Sequence, residues 1–185
     1  MTFVGHSLIG SSIAVVAMPH SMSAWRWVLG INIFILLSYL PDFPLPLWGH
    51  PHYAVSHSLF VNLALMTIGL IIWLSAGTAR KWASPRLFVA GLIAWGSHFL
   101  LDAFYRGPDG VEIFWPFSSA ALNLPLPWFN YFDPSLGVFH SDNLKVFGIE
   151  AVAYLPILLT AVLVRITCNR RRDRLSFRPP TTAKG

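Results

Sequence analysis

The chain has 185 residues, 55% of them hydrophobic, 15% aromatic and only 11% charged, with a formal net charge of +5. An average soluble domain is roughly 25% charged, so the composition excludes an ordinary water-facing globule and points to a bilayer. The length fits one domain, and the single Cys168 excludes an internal disulfide and a cysteine-based zinc site.

Five apolar runs follow in order, at residues 7–18, 27–40, 59–75, 87–105 and 146–166. They are long and do not alternate, so helices are expected rather than strands. The last three approach the ~20 residues that cross a hydrocarbon core of about 30 Å. The first two are shorter, which leaves a tilted, interfacial or hairpin placement open. No Lys or Arg precedes the first run, so it does not read as a signal peptide. The expected fold is all-α, a polytopic membrane helical bundle of about five helices with a long outer loop. Residues 1–168 form the embedded domain, and 169–185 a basic cytoplasmic tail expected to be disordered.

The charges set the orientation. If every run crosses, Arg26, Arg80, Lys81, Arg86 and all the basic residues from Arg165 onward share one side, leaving only Arg106 and Lys145 opposite. The acids fall the other way, with Asp173 alone on the basic side. Basic loops stay in the cytoplasm, so the N-terminus is expected outside and the C-terminus inside. The tail reads either as a solvated segment or as one that touches anionic headgroups. Both long connections, 41–56 and 106–145, lie on the outer side.

Five ionisable residues then converge at the outer boundary. His6 precedes the first run, Asp42 ends the second in "SYLPDF", and His57 in "HPHYAVSHS" begins the third. His98 and Asp102 sit near the end of the fourth, four apart and hence on one helical face. Each has a bland alternative: an interfacial histidine, a helix-ending aspartate, a water-facing histidine, a self-satisfied His–Asp pair. Together the bland readings lose, because an ionisable group near a membrane core costs roughly 2.5–3.5 kcal/mol on insertion scales and usually marks function. Imidazole with carboxylate suits Zn²⁺ best, with Mn, Fe or Ni as alternatives. The expected metal ligands are His6, Asp42, His57, His98 and Asp102.

The order His6, "LPDF", His52 to His57 with Ser58, "HFLLD" and "WPFS" resembles the YdjM-like family of bacterial inner-membrane proteins, described as metal-dependent hydrolases. The likeness spans residues 5 to 118 and implies a multi-pass protein of the bacterial inner membrane. A more distant resemblance is to the zinc-dependent phospholipase C and single-strand nuclease superfamily. Its ordered His, Asp, His, His-x-x-x-Asp set maps to His6, Asp42, His57, His98 and Asp102, and it implies that Asp102 bridges two ions. The chain departs from these patterns. Pro44 replaces a second Asp, and Tyr53 stands where the family often has an Arg able to clamp a phosphate. His140 and Glu150 are ten apart, in place of a further close-spaced ligand pair. One or two metal ions are therefore expected.

The resemblance implies a membrane-bound hydrolase in which metal-activated water attacks a phosphodiester or ester bond, in a lipid where the site lies at headgroup level. His52, Asp109 and Glu112, with His50, are the candidates for general acid or base; His52 leads because its spacing to His57 matches the family motif. The loop segment "VEIFWPFSSAALNLPLPWFNYFDP" reads as an interfacial aromatic belt, as a lid over the site, or as both. The alternatives are a proton or ion relay using the His/Asp cluster, and a metal-stabilised membrane protein without turnover. Beyond the lipid bilayer and a lipid or phosphodiester substrate no partner is implied. No nucleic acid is expected, since the basic residues do not interleave with the site, and no oligomeric state is signalled.

Overall fold

The computed structural model describes residues 1–49, 52–77, 84–105, 110–124, 126 and 128–176. The described secondary structure is helical: α1 (Phe3–Ala17), α2 (Ala24–Tyr39), the short α3 (Tyr53–Ser56), α4 (Leu59–Ser75), α5 (Pro85–Asp102) and α6 (Ser141–Ser176). The helix starts follow from side chains that accept the otherwise unpaired first amides. Thr2 accepts from Val4, Ser58 from Val61 and Ser84 from Leu87, with Pro85 at the first helical position, where its missing N–H costs nothing. Pro41 sits in a 3-10 turn, Leu40–Asp42, that ends α2.

Several boundaries differ from the apolar runs. The Thr2 cap starts α1 at Phe3, which brings His6 inside the helix. α6 continues through Ser176 into the segment expected to be a disordered tail, because the arginines at 170–172 and 174 and Leu175 are good helix formers even though they lie beyond the apolar run. At ~1.5 Å per residue its 36 residues outreach a bilayer core.

The helix ends are fixed by their contacts. Glu150 of α6 meets Thr2 and Gly5, while Arg165 meets Val15 and Met18, so α1 and α6 run parallel. Arg86 at the start of α5 meets Val16, so α5 runs against α1. Small residues allow the close approach expected of membrane helices: Ala14, Ala17, Ala90 and Ala94 pack with Met18 and Phe34 where α1, α2 and α5 meet. A second cluster of Ile9, Tyr105, Phe129 and Tyr154 joins α1, α6 and the long loop.

By length and composition two described segments can cross a membrane, Ala24–Asp42 and Ser141–Arg172; Phe3–Ala17 and Leu59–Ser75 are apolar but shorter. On α4 the only buried residue is Asn62, and Leu63, Ile68, Ile71 and Leu74 around it are exposed. A helix bare of cover on its apolar sides suits hydrocarbon rather than water.

Candidate metal centre

Four elements deliver the cluster to one end of the bundle. His6 comes from the start of α1, Asp42 from the turn after α2, His57 from the junction of α3 and α4, and His98 and Asp102 from the end of α5. The first anchor is Glu150, fully buried. Its carboxylate accepts from Thr2 N at 2.7 Å and Gly5 N at 2.8 Å, and from the Thr2 hydroxyl. It thus satisfies orphan amides at the positive end of the α1 dipole. Gly10 permits the second approach, since a Cβ there would lie 2.7 Å from the Phe34 carbonyl oxygen of α2.

Ser38 then links three helices. Its hydroxyl donates to the His6 carbonyl at 2.8 Å, and its own carbonyl faces His98 Nδ1 at 2.9 Å. A carbonyl only accepts, so His98 carries its proton on Nδ1 and turns the Nε2 lone pair toward the cluster. His57 is arranged alike, with Nδ1 at 3.2 Å from the Tyr53 carbonyl and 2.9 Å from Ser56 Oγ. Burial holds the His57 imidazole below the ordinary histidine range, against the opposing pull of Asp42, so its neutral, ligating form is favoured.

The ring nitrogens meet the carboxylates at separations of a coordination shell. His57 Nε2 and His98 Nε2 are 3.1 Å apart. His57 Nε2 lies 3.3 Å from Asp42 Oδ1, His98 Nε2 3.3 Å from Asp102 Oδ2, and His6 Nε2 3.5 Å from Asp102 and 3.7 Å from Asp42. Four ligands on bonds of about 2.0–2.1 Å stand about 3.3 Å from one another in a tetrahedron. Donor atoms of His6, Asp42, His98 and Asp102 all lie within 4.8 Å of one another, and neither ring nitrogen of His6 has a hydrogen-bond partner among the described residues. Such a buried, convergent and partly orphaned donor set fits a divalent cation, whose charge would offset the two aspartates. The Met1 amino group also donates to Asp102 Oδ1, at 2.9 Å.

The YdjM inner membrane protein family profile matches residues 1–171. The chain belongs to that family. The resemblance read from the motifs is therefore the family itself. No curated protein and no solved structure matches the chain.

For this YdjM family member the structure brings His6, Asp42, His57, His98 and Asp102 together and leaves the other candidates apart. His52 is exposed at the start of α3, five residues from His57. Glu112 is half-buried beside the Val111–Leu122 bridge, in the loop rather than among the residues of the cluster. Asp109 and His50 lie outside the described residues. His140 is exposed beside Asp142, whereas Glu150 is buried at the start of α1, so those two do not pair. The loop covers this end of the bundle: Ser58 Oγ donates to the Trp115 carbonyl, Leu59 N to Ile113 and Leu124 N to Ala103. Its outer surface exposes Phe117, Trp128 and Phe139.

Sequence reasoning missed Ser38, Asn62 and the capping role of Glu150. For Glu150 a signal existed: it is a lone carboxylate within the apolar run 146–166. Asn62 at the start of α4 donates to the carbonyls of Ser56 and Ser58 and accepts from Trp95 Nε1, and so holds the segment that presents His57.

Proposed function

We propose that this chain is a multi-pass inner-membrane protein that holds a divalent transition metal, zinc by preference, at the outer end of its bundle and hydrolyses a phosphodiester or ester bond there, with lipids as the substrate class. One observation carries the reading: five donors from four elements gather at ligand–ligand distances, with the His57 and His98 Nε2 atoms turned inward by backbone carbonyls. His6, Asp42, His57, His98 and Asp102 would hold one or two ions. A cation held there supplies Lewis acidity, polarising a water or a phosphoryl or ester oxygen. The chain's own part is to fix the imidazole tautomers through Ser38 and Tyr53, to hold α1 through Glu150, and to limit water entry with the loop over Ser58. His52 stands as first candidate for proton transfer, with Glu112 and Asp109 behind it.

The orientation follows from charge. Arg26 and Arg86 lie at the ends of α2 and α5 away from the cluster, and Arg165 and Arg170–172 at the far end of α6, which supports a cluster facing outward and a basic end in the cytoplasm.

A second reading has its own support. All three imidazoles are fully buried, as in closed structural metal sites, so the ion would stabilise the bundle without turnover. A proton or ion relay is the weaker alternative, because the buried carboxylates and imidazoles among the described residues gather at one end rather than along a route.

The test is metal content by mass spectrometry on detergent-purified protein beside His57→Ala and Asp102→Ala, followed by a screen of phosphodiester and ester lipids on loaded protein. A transition metal at one or two equivalents, lost in both variants, supports the centre; turnover lost with it supports the hydrolase. Folded protein that takes up no metal on reconstitution overturns both. Bound metal with no turnover on any lipid class leaves the structural reading.

A further inference from the structure

At the opposite end of the bundle α1, α5 and α6 leave a groove of about 830 Å³. Ile13, Val16, Val89 and Ile93 wall it, and the small Ala90 and Ala161 help form its floor. Two guanidinium groups mark its basic end. Arg86, itself in the groove wall, donates to the Val16 carbonyl, and Arg165 donates to the carbonyls of Val15 and Met18, the latter at 2.8 Å. Arg165 also stacks over Trp27 at 4.1 Å and faces His20. Neither arginine forms an ion pair among the described residues.

We propose that this groove binds an anionic phospholipid of the cytoplasmic leaflet, one acyl chain lying between α1, α5 and α6 and the phosphate resting on Arg86 beside Arg165. The apolar walls face the side of the bundle, where hydrocarbon is the available filling. The arginines supply what an apolar segment of another protein would not need: a pair of cationic forks without a carboxylate, suited to phosphate oxygens. Their place at the end of α1 satisfies carbonyls that a helix C-terminus leaves unpaired. One donor nitrogen of Arg86 is so used, and among the described residues the rest of its fork faces no carboxylate and suits a ligand. The cytoplasmic leaflet is also the anionic one. The proposal rests on α1, α5 and α6 crossing the bilayer and is independent of the metal centre.

The experiment is native mass spectrometry of detergent-purified full-length protein titrated with phosphatidylglycerol or phosphatidylcholine of identical chains, and with glycerol phosphate alone. One phosphatidylglycerol is expected to bind about fivefold or more tighter than phosphatidylcholine, as one surface arginine's attraction to an anionic headgroup gives. The preference disappears in Arg86→Gln and returns in part in Arg86→Lys. Val89→Trp, which fills the groove from its exposed wall and leaves the α1 terminus untouched, weakens both lipids. Equal binding of the two lipids, equal competition by glycerol phosphate, or binding unchanged in both Arg86→Gln and Val89→Trp overturns the proposal. Protein that stays soluble without detergent would instead sink the membrane placement, so the two failures are separable.

Discussion

His57 and His98 face each other Nε2 to Nε2 at 3.1 Å, while the Nδ1 of each addresses a backbone carbonyl. Two inward lone pairs at that distance repel unless a proton or a cation lies between them. With Asp42 and Asp102 within 3.8 Å of both, imidazoles and carboxylates converge at spacings that a cation between them would stabilise.

Metal removal is therefore expected to destabilise the fold. A ligand present at a thousandfold its dissociation constant stabilises by about 4 kcal/mol, so stripping the ion with a chelator should lower the thermal midpoint by several degrees, and adding zinc back should restore it. His98→Ala should start from the lower midpoint and show no chelator effect. A midpoint indifferent to chelator and to zinc in the parent protein would remove the metal centre from consideration.

Asn62 offers a test of how His57 is held. Its amide meets Ser56 O at 2.8 Å and Ser58 O at 2.7 Å, both buried, and Trp95 Nε1 at 2.9 Å, part-buried. Asn62→Leu raises the hydropathy of α4 and would favour insertion if that were all. Instead it leaves polar groups unpaired, at about 1–3 kcal/mol, and frees the segment that carries His57. Zinc affinity, measured by competition with a chromophoric chelator, should fall about 10- to 100-fold, as for other outer-shell supports. Unchanged affinity would show that the Ser56–Ser58 segment holds itself.

Glu150 tests the other support. Glu150→Ala strands the amides of Thr2 and Gly5 in a buried setting and should cost about 1–3 kcal/mol in denaturant or thermal unfolding. Glu150→Gln keeps a neutral acceptor and should lose less. Equal losses in the two variants would mean that the carboxylate acts through packing rather than through the α1 amides.

The cluster was legible because each member is an ionisable group in an apolar setting, and the alternation of charged connections assigns them all to one end. Family motifs strengthened His57 and His98 with Asp102. What was not legible depends on which helix faces which. Ser38 looks like one polar residue in a hydrophobic helix until α1 and α5 are laid against it. Asn62 likewise acquires partners only when the loop before α4 turns back. The 3-10 turn at Asp42 and the short α3 are set by contacts beyond their own residues. The length of α6 was hidden for another reason: a search for apolar runs stops at Ile166, whereas the backbone needs only good helix formers to continue.

Gly10 should be intolerant of any side chain. Its missing Cβ would stand 2.7 Å from Phe34 O, 2.8 Å from Ser38 Oγ and 2.9 Å from Ile35 Cα, so backbone rather than a flexible tip must move. Gly10→Ala is expected to cost about 1–3 kcal/mol as an overpacked helix crossing. It should also weaken metal binding, because Ser38 holds both the His6 carbonyl and His98. Gly69, which has open space around it, is the control: Gly69→Ala should leave stability equal or raised. A stable, metal-replete Gly10→Ala protein would mean that α1 and α2 can separate without disturbing the centre.

The orientation can be read with one native and one introduced thiol. Cys168 is exposed on the α6 segment that carries the basic cluster, and Phe117 is exposed on the loop over the His/Asp cluster. If the metal centre faces outward, a membrane-impermeant maleimide added to intact inner-membrane spheroplasts should leave Cys168 unlabelled until the membrane is permeabilised. Phe117→Cys, made in a Cys168→Ala background, should label at once. The reverse pattern would place the basic end outside, against the distribution of Arg86, Arg165 and Arg170–172. Labelling of both thiols in intact spheroplasts would rule out an odd number of crossings between them, and with it the arrangement in which α6 carries the chain from the metal centre to the cytoplasm.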